Sequence, residues 1–557
     1  MQFRFTATQI FDKICGIQPS LIEESDFFMS TSVSDPVTNS KSSAQSYDAI
    51  IFGAGIAGLT AAAYLALGGA RVLVCEQAAK VGGLFNTFER DGFWFDGGIK
   101  AIENSGLFLS TLKQLGMQDR ITVHKSPIGM ITNGKMQLFN DWQDVENYYS
   151  DLQVLFPGEQ KGLLQVKADS KAIFDLLDSL LTFPIPIMDT PTDNKSARSE
   201  WFKQKKGSLA RFPKALAMMK KEMRTYLEEH IHDPNLVNLL CDLFPDGTSA
   251  FFGLGYFRMF LDYYYPEGGM QSIPSLLAEG IIEKGVEVRL NTRVERILLQ
   301  DGKACGVRLA NGEELKAGYV LASSDLNQAL TRMIPEGILP VKFEQKMRSA
   351  QVSHSVFNVF LGLDVPPEYL NLSGSGHVFY NPDLEGITEQ DRISREDYFA
   401  HVPQEISVPC MHDPKLAPAG MTGLNLSAMT SHKFLGGWMK DDHTYDQLKE
   451  ACADDLIRSF EKYCPDLSKH IVFRLTSTPR TILLQTSNHE GAIMGWSYHR
   501  KEAFNRGSLL ALRSIVKTPV PRLLTAGQWT FAPGGAPTAL LTGRLAADHV
   551  LKNLKTE

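Results

Sequence analysis

The chain has 557 residues, 43% hydrophobic and 21% charged, which is ordinary for a globular protein of two or three domains. A formal charge of −7 at pH 7 excludes the strong basic field of a nucleic-acid-binding protein, so no nucleic-acid partner is expected. The seven cysteines are scattered and lack CxxC spacing, which indicates reduced thiols in a cytosolic-type compartment and no zinc or iron–sulfur site.

The first 46 residues differ in character from the rest of the chain. Ser30–Ser46 is rich in Ser, Thr, Asn and Lys, which is typical of a flexible tail, and no secretory signal precedes it. We therefore predict a flexible extension over residues 1–46. The longest apolar stretch, Ala250–Tyr265, contains Arg258 and Asp262 and is too short for a transmembrane helix. The predicted location is cytoplasmic.

A βαβ unit of the dinucleotide-binding type is predicted to begin at residue 47. Tyr47–Phe52 is a short apolar run typical of a buried parallel strand, and Ile56–Leu67 is apolar and Ala-rich like a helix. Arg71–Cys75 is a second strand, and Glu76 ends it at the position where such units bind a ribose. The alternative, a Gly-rich loop that only packs, leaves Glu76 without a role.

Three glycines in GxGxxG spacing join the first strand to the helix. Gly53 allows the tight turn, Gly55 lets the backbone approach a pyrophosphate, and Gly58 lets helix and strand pack closely. The free N–H groups of the helix N-terminus, which begins at Ile56 and Ala57, favour a phosphate.

Residues 266–325 predict a helix, a β-meander and a returning strand. The helix is Gln271–Lys284, with Gly285 as its stop signal, and Asp301-Gly302 and Asn311-Gly312 are hairpin turns. The predicted strands are Val286–Leu290, Val294–Leu299, Ala304–Leu309, Glu313–Lys316 and Tyr319–Ser323. Such a block after a βαβ unit indicates a large flavoprotein domain and not a simple NAD dehydrogenase.

The C-terminus predicts a second helix that begins beside a Gly-rich loop. Arg522–Ala526 is a strand, Pro533–Pro537 is a rigid loop, and Thr538–Leu554 has helical periodicity. The helix would point its positive end at an electron-rich group such as a flavin pyrimidine edge. A purely structural C-terminal helix is the alternative.

Several motifs together resemble those of the phytoene desaturase, carotenoid isomerase and retinol saturase group of FAD-dependent oxidoreductases, within the amine oxidase-like flavoprotein superfamily. The resemblance begins at about Tyr47 and covers most of the chain. The motifs are GAGIAGL with Glu76, Gly82-Gly83 followed by FERDGFWFDGG, PEGGMQSIPSLLAEGI, HEGAIMGW and GQWTFAPGGAPTALLTGRLAA.

The resemblance implies an α/β fold with two discontinuous domains. A Rossmann-type FAD-binding domain with a β-meander would combine residues 47–106, 266–326 and 519–557. A mixed sheet-and-helix substrate-binding domain would combine residues 107–265 and 327–518. The FAD is expected to be non-covalent, because no Cys or His lies in the motifs that would face the isoalloxazine.

The resemblance also implies which residues contact FAD. Gly82 and Gly83 would follow the pyrophosphate and ribityl chain, and Val294 would hold the adenine through its backbone. Relatives often have a basic residue where Leu84 stands and an acid where Gln528 stands. The full predicted set is Gly53, Gly55, Ile56, Ala57, Gly58, Glu76, Gln77, Gly82, Gly83, Leu84, Gly97, Gly98, Val294, Gly527, Gln528, Gly535, Ala536 and Pro537.

Lys100 is the candidate catalytic side chain beside flavin N5. It follows Gly97-Gly98 and would orient a substrate or stabilise a negatively charged reduced flavin; a solvated or ion-paired surface lysine is the alternative. Trp529 and Phe531 would wall the flavin pocket or pack in the core. No metal site is expected, because the histidines form no HxxxH or HExxH pattern.

The predicted function is FAD-dependent chemistry on C=C or C–C bonds of an apolar polyene or isoprenoid, as a desaturase, saturase or cis–trans isomerase. No second GxGxxG follows a strand, so a diffusible acceptor such as a quinone or oxygen would take any electrons. A flavin amine oxidase is the first alternative, with rings from Trp529 and Tyr263–Tyr265. A non-catalytic protein of the Rab escort or GDP-dissociation inhibitor type is the second. The substrate, the reaction direction and the oligomeric state stay open.

A lipid substrate predicts an apolar tunnel that starts at the flavin. Its walls would come from Phe244–Tyr265 and Val356–Leu363, and it would run from Gly97–Lys100 to an exit at Trp201–Lys221. Trp201–Lys221 is basic and amphipathic, which suits peripheral contact with an anionic membrane; a solvated helix face is the alternative.

Overall fold

The computed structural model describes residues 46–181, 200, 203, 212–499, 514–532 and 534–555. Residues 1–45 and, within Trp201–Lys221, residues 201, 202 and 204–211 therefore lie outside the described residues. Most of its strands belong to two seven-stranded sheets. The strands are β1 (Tyr47–Phe52), β2 (Val72–Cys75), β3 (Thr87–Arg90), β4 (Phe93–Asp96), β5 (Ile102–Glu103), β6 (Val123–Lys125), β7 (Ile128–Thr132), β8 (Lys135–Phe139), β9 (Tyr263–Pro266), β10 (Glu287–Arg289), β11 (Val294–Gln300), β12 (Lys303–Leu309), β13 (Glu314–Ala322), β14 (Ser355–Leu363), β15 (His377–Asn381), β16 (Gln404–Ser407), β17 (Thr422–Thr430), β18 (Ile471–Ser477) and β19 (Leu523–Thr525).

Helices cover the two sheets and connect their strands. They are α1 (Ile56–Leu67), α2 (Phe108–Gln114), α3 (Trp142–Leu155), α4 (Gln160–Leu181), α5 (Phe212–Lys220), α6 (Met223–Glu228), α7 (Pro234–Cys241), α8 (Ala250–Phe260), α9 (Ser272–Glu283), α10 (Leu326–Thr331), α11 (Val341–Ser349), α12 (Asp391–Ser394), α13 (Tyr398–His401), α14 (Asp442–Glu461), α15 (Pro479–Thr486) and α16 (Ala536–Leu554). None of the helices in the described ranges has the length and apolar content that crossing a membrane requires.

The first sheet has the order β10-β2-β1-β13-β12-β11, with β19 also paired to β13. β10, β2, β1, β13 and β19 run parallel, whereas β11, β12 and the start of β13 form an antiparallel meander. All four residues of β2 are buried, as expected for a parallel strand that is covered on both faces. The predicted α/β class, with a Rossmann-type unit and a meander, is confirmed.

The end of the meander differs from its prediction. The sequence suggested separate strands at Glu313–Lys316 and Tyr319–Ser323, but β13 is one continuous strand over Glu314–Ala322. Its first residues pair antiparallel with β12, and its last residues pair parallel with β1 and β19. Ala317 and Gly318 looked like a break because the two halves have different partners and therefore different apolar patterns.

The second sheet has the order β18-β14-β17-β16-β15-β7-β8 and is antiparallel except between β15 and β7. One face of β14 is apolar and packs under α13 and α14. Phe357 on this face lies with its ring 4.7 Å from that of Phe399 and 5.6 Å from that of Trp438. The opposite face of β14 carries Asn358 and Phe360, and Phe360 packs on the β3–β4 hairpin.

Candidate active site

The turn between β1 and α1 contains glycines for two different physical reasons. Gly53 has φ +97°, and a Cβ atom on Gly58 would lie 2.1 Å from the Gly53 carbonyl oxygen, so both positions exclude a side chain. Within the described part of the chain, a Cβ on Gly55 would meet no atom within 4 Å. The backbone at Gly55 therefore faces open space, directly before the free N–H groups at the start of α1, at Ile56 and Ala57. This geometry suits a phosphate group.

Glu76 follows β2, and two backbone amides hold its carboxylate. The N–H of Ala54 donates to Oε2 at 2.7 Å, and the N–H of Ala78 donates to Oε1 at 2.9 Å. Burial raises the pKa of Glu76, and these backbone hydrogen bonds oppose the rise. Each carboxylate oxygen can accept a second hydrogen bond, so Glu76 keeps capacity for ribose hydroxyls. The neighbouring Gln77 is exposed, and its Nε2 donates to the Ser487 hydroxyl at 3.2 Å.

The loop after β2 extends the same glycine surface. The N–H of Gly82 donates to the Ala54 carbonyl at 2.9 Å, and Gly82 forms a parallel bridge with Gly55. Gly83 has φ +59°, and the Gly55 Cα is the only neighbouring atom that a Cβ on Gly83 would approach, at 3.5 Å. The glycines of the two loops therefore form one continuous surface without side chains.

Gly97 and Gly98 pack against the end of this loop. A Cβ on Gly98 would lie 2.0 Å from the Leu84 carbonyl oxygen, which also accepts the N–H of Ile99 at 3.0 Å. The N–H of Gly97 donates to the Asn86 carbonyl at 3.0 Å. The backbone contribution of Leu84 explains why the basic side chain of related sequences is not needed for this contact.

Val294 reaches the Glu76 end of the surface through the chain before β11. The N–H of Thr292 donates to the Glu76 carbonyl at 2.7 Å. Val294 itself is buried and pairs with Leu309 of β12. The start of the meander therefore lies beside the βαβ unit, as adenine binding by Val294 requires.

The C-terminal helix brings a second helix N-terminus to the same region. A Cβ on Gly543 would lie 2.5 Å from the Ala57 carbonyl oxygen, so α16 packs directly on α1. Gly535, with φ +146°, precedes the first turn of α16, which Ala536 and Pro537 form. The helix thus starts two residues earlier than predicted, because Pro537 occupies the N-terminal turn where its missing N–H costs nothing.

Gly527 and Gln528 lie between β19 and this helix. Gly527 has φ +103°, and its N–H donates to Oγ1 of Thr542 at 2.9 Å. Gln528 is half-buried, and a Cβ on Gly495 would lie 2.6 Å from its carbonyl oxygen. The predicted motif at residues 489–496 therefore packs against the C-terminal loop.

Lys100 is buried, with 3% of its surface exposed, so the solvated-lysine interpretation is wrong. Its Nζ donates to the Gly98 carbonyl at 2.9 Å and to Oδ1 of Asn358 at 3.3 Å. Burial lowers the pKa of Lys100, while the carboxylates of Glu405 and Asp96 oppose that fall. The ammonium group therefore lies between the predicted flavin face and the second sheet.

A row of polar side chains crosses the second sheet opposite Lys100. Asn358 pairs with Ser427, and Ser427 pairs with Glu405, so these three side chains share one face. Ser427 Oγ donates to Oδ1 of Asn358 at 2.6 Å. Within the described part of the chain, the Nδ2 groups of Asn358 and Asn425 find no hydrogen-bond acceptor although both residues are fully buried. We name Asn358, Ser427, Glu405 and Asn425 the polar row.

Sequence reasoning missed the polar row. It named Val356–Leu363 only as a candidate wall of an apolar tunnel and gave Asn358 no role. The tunnel itself stays a prediction. A local signal was present, since Asn358, Asn425 and Ser427 are polar residues inside otherwise apolar strands. Without the strand register, nothing joined them to Lys100.

Glu405, at the end of the polar row, borders an internal space. The Glu405 side chain keeps 35% of its surface accessible although the group lies deep inside the protein, so that surface faces an interior cavity. Three more side chains are enclosed by protein and yet keep part of their surface accessible: Tyr256, Tyr498 and Glu103. The Tyr498 hydroxyl donates to the Gly534 carbonyl at 3.1 Å, which connects the space to the loop before α16.

The aromatic candidates are accounted for mainly by packing. Trp529 is 2% exposed, its Nε1 donates to Oδ1 of Asn488 at 3.1 Å, and its ring meets that of Trp496 edge-on at 5.0 Å. Phe531 is half-buried and packs on the hydrophobic cluster to which α16 contributes. The Tyr265 hydroxyl donates to the buried carboxylate of Asp96. Trp529 and Tyr265 are therefore residues of the protein core.

One group of described residues brings three potential metal ligands together. The ligand atoms of Asp246, His354 and Glu389 lie within 4.8 Å of one another. The guanidinium of Arg392 is 3.5 Å from the Asp246 carboxylate and 3.4 Å from that of Glu389. Because Arg392 is buried and already supplies the positive charge, we interpret the group as an ion-pair cluster.

This cluster is expected to make stability fall as the pH rises through about 8. Burial and the nearby Asp246 carboxylate raise the pKa of Glu389 to about 8, whereas an unfolded Glu titrates near ~4.3. Between these values the folded state holds an extra proton, so the free energy of unfolding decreases with rising pH. The slope should stay below ~1.4 kcal/mol per pH unit, because the Glu389 side chain is 48% exposed. The pKa of Asp246 is lowered, so its contribution is lost only in acid.

Denaturant unfolding of wild type and Glu389→Gln at about pH 6 and about pH 9 measures this effect. The variant should lose less stability than the wild type over the interval. Glu396→Gln, at an exposed position of the same segment, is the matched control and should behave like the wild type. Equal losses in all three proteins would contradict the prediction.

A comparison with known families decides the identity of the fold. The model of the family described as flavin containing amine oxidoreductase matches residues 56–551. This chain belongs to that family. The predictions of an FAD cofactor and of an FAD-dependent oxidoreductase are therefore confirmed. The chemistry of the site fits such a cofactor through the glycine surface, Glu76 and the two helix N-termini.

The relatives of this flavoprotein include enzymes of carotenoid and retinoid chemistry. Prolycopene isomerase of Daucus carota is 27% identical, over 78% of this chain and 69% of that protein. All-trans-retinol 13,14-reductase of Danio rerio is 25% identical, over 91% of this chain and 86% of that protein. The structure of putrescine oxidase with bound putrescine matches this one with a TM-score of 0.57 at 15% sequence identity. The match covers 92% of this chain and 100% of the putrescine oxidase chain, and it concerns the fold alone. The predicted resemblance is confirmed.

Proposed function

We propose that this flavoprotein acts on C=C or C–C bonds of an apolar polyene or isoprenoid lipid, as a desaturase, saturase or cis–trans isomerase. The observation that carries the proposal is the similarity, over more than three quarters of the chain, to proteins named prolycopene isomerase and all-trans-retinol 13,14-reductase. The substrate would therefore be a lipophilic small molecule. Where the reaction is a net oxidation, the acceptor would be a quinone or oxygen.

In this proposal FAD lies across the glycine surface. Its ribose would bind Glu76, its pyrophosphate would lie over Gly55, and its isoalloxazine would lie between residues 97–100 and the loop before α16. The open space at Gly55 supports this placement, because a side chain there would occupy it. The FAD-binding domain would comprise residues 47–106, 266–326 and 519–557, from which all seven strands of the first sheet come. The second sheet comes entirely from the remainder.

A bound flavin exchanges a hydride or an electron with a substrate carbon. The chain itself would hold the polyene over that ring and exclude water. The half-buried ring of Phe379, which stacks on the buried ring of Phe260 at 5.4 Å, offers an aromatic surface next to Glu405. Each buried methylene contributes ~0.8 kcal/mol to binding an apolar chain. The proposed exit and the peripheral membrane contact at Trp201–Lys221 fall in part on residues 201, 202 and 204–211, which lie outside the described residues.

The carboxylates at the cavity favour one second candidate, an amine oxidase. Glu103 and Glu405 both face the internal space, and a carboxylate there would attract a cationic amine. Lys100 would weaken that attraction, because its ammonium group would partly compensate the negative charge. We therefore keep the amine oxidase as the alternative, and the experiment must distinguish it from an enzyme that acts on polyenes.

Anaerobic incubation of the FAD-loaded protein with prolycopene, all-trans-retinol or putrescine tests the proposal. Chromatography and mass spectrometry would follow the products, with cofactor-free protein as the control. A gain or loss of two hydrogens identifies a saturase or desaturase, and an unchanged mass with changed geometry identifies an isomerase. Turnover of putrescine alone, with peroxide formation in air, would overturn the polyene proposal in favour of the amine oxidase.

Replacing Lys100 by methionine is expected to lower the reduction potential of the bound flavin by about 30 mV or more, which corresponds to ~1.4 kcal/mol for two electrons. The reason is that a buried ammonium beside the ring stabilises the negative charge gained on reduction, and methionine keeps the volume but not the charge. Reductive titration against a redox dye measures the potential. Lys125→Met, at an exposed position of β6, is the control and should leave it unchanged. An unchanged potential in the Lys100 variant at full FAD occupancy would contradict this role.

A further inference from the structure

Flavin chemistry on a C–C bond leaves a proton to be placed. Forming a double bond removes two hydrogens from adjacent carbons, one with its electron pair and one as a proton. The flavin takes the first, and the second needs a base of the protein that reaches the substrate. Saturation needs the same group in its acid form, by microscopic reversibility.

Most ionisable groups that face the internal space are unsuited to this task. Burial raises the pKa values of the Tyr256 and Tyr498 hydroxyls, so they keep their protons. Glu103 lies on β5, outside the second sheet that carries the polar row, and it accepts a hydrogen bond from the Ser105 hydroxyl. The Nζ of Lys100 donates to the Gly98 carbonyl and to Asn358.

Glu405 differs from these groups in its partners. His377 lies 2.8 Å from it, Nε2 to Oε1, and together with the charge of Lys100 it more than offsets the effect of burial, so the pKa of Glu405 is lowered. The other groups that face it are the Tyr256 and Tyr263 hydroxyls. Glu405 is therefore an ionised carboxylate with part of its surface open to the cavity.

His377 is placed to hold that carboxylate. Its ring is 2% exposed and packs edge-on to Tyr263 at 5.8 Å and beside Phe379 at 5.3 Å. With Nε2 protonated, the ring donates to Glu405, and its Nδ1 has no hydrogen-bond partner among the described residues. A buried, unpartnered ring nitrogen behind a cavity-facing carboxylate is a costly arrangement for packing alone.

We propose that Glu405 is the catalytic base that takes the substrate proton, with His377 as its positioning residue; this rests on the proposed function. In desaturation, Glu405 would remove a proton from the carbon next to the one that loses a hydride. The electrons of that C–H bond would form the new π bond, and a bound oxidised FAD would supply the two-electron acceptor for the hydride. In saturation, protonated Glu405 would return the proton, and a bound reduced FAD would supply the hydride.

Variants of the FAD-loaded protein test the proposal with whichever of all-trans-retinol and 4,4′-diapophytoene the wild type saturates or desaturates. Glu405→Gln should lower kcat by ~10²–10⁴-fold and leave KM nearly unchanged. It should also remove the limb of the pH profile that reports Glu405, which is the acidic limb for desaturation and the alkaline limb for saturation. Glu405→Asp should retain part of kcat and the limb. His377→Phe should shift the limb towards higher pH, because the carboxylate loses the ring N–H donor that lies 2.8 Å from it. Glu396→Gln is the control. A raised KM with unchanged kcat in Glu405→Gln would assign the residue to substrate binding and overturn the proposal.

A second readout needs no turnover. The visible spectrum of the bound flavin in the substrate-free protein should shift as the pH is lowered through the Glu405 titration, and Glu405→Gln should abolish that shift while Glu396→Gln keeps it. If no polyene is converted, the proposed function fails for these substrates, and this titration still decides the ionisation of Glu405 at the flavin. A spectrum that responds to pH identically in wild type and Glu405→Gln would overturn the proposal. Thermal melting and FAD content show that each variant is folded and loaded.

Discussion

Replacing Glu76 by alanine is expected to weaken FAD binding by about two orders of magnitude, ~2.7 kcal/mol. Its carboxylate has one free acceptor site on each oxygen, and hydrogen bonds to a charged group contribute ~1.5–3 kcal/mol each. The N–H groups of Ala54 and Ala78 would also lose their acceptor, so a moderate loss of folding stability should accompany the effect. Titration of the cofactor-free protein with FAD, followed by flavin fluorescence, measures the affinity.

Two further variants separate cofactor binding from folding. Glu76→Gln keeps one acceptor oxygen and should fall between the wild type and the alanine variant. Glu295→Gln removes an exposed carboxylate on β11, next to Val294, and should bind FAD like the wild type. Full yellow occupancy of Glu76→Ala after gel filtration at low protein concentration would show that the ribose does not bind there.

Local patterns predicted the first sheet well and failed where a strand changes partners. The βαβ unit is encoded within about thirty residues, by glycine spacing, strand length and a terminal acid, and each of these depends on neighbours in sequence. β13 is different, because its two halves pair with β12 on one side and with β1 and β19 on the other. Only the assembled sheet shows that Ala317 and Gly318 continue the strand.

The candidate site divides in the same way. Gly55, Glu76 and Gly83 occupy motif positions, so the sequence alone suggested them, and the structure places them on one surface. The polar row comes from separate strands, and its members meet through a register that no local pattern encodes. The burial of Lys100 depends on Asn358, more than two hundred residues away, and the sequence accordingly left its environment open.

Alanine at Gly55 and alanine at Gly58 are expected to fail in opposite ways. A Cβ on Gly58 would lie 2.1 Å from the Gly53 carbonyl oxygen, so α1 must move away from β1. Such overpacking costs ~1–3 kcal/mol or more, and Gly58→Ala should therefore lower the thermal stability of the cofactor-free protein. Its FAD affinity should fall only as a consequence of that distortion.

Gly55→Ala should fold normally and bind FAD poorly. Gly55 has φ −71° and ψ 175°, which alanine adopts without strain, and its Cβ would meet no protein atom within 4 Å. The melting temperature of the cofactor-free variant should therefore equal or exceed that of the wild type, because alanine restricts the unfolded chain by ~0.4–1 kcal/mol. The added methyl group would nevertheless occupy the space that a pyrophosphate needs, so FAD affinity should fall by about tenfold or more, ~1.4 kcal/mol. Wild-type affinity in Gly55→Ala would mean that no phosphate approaches this backbone, and the proposed placement of FAD would then be wrong.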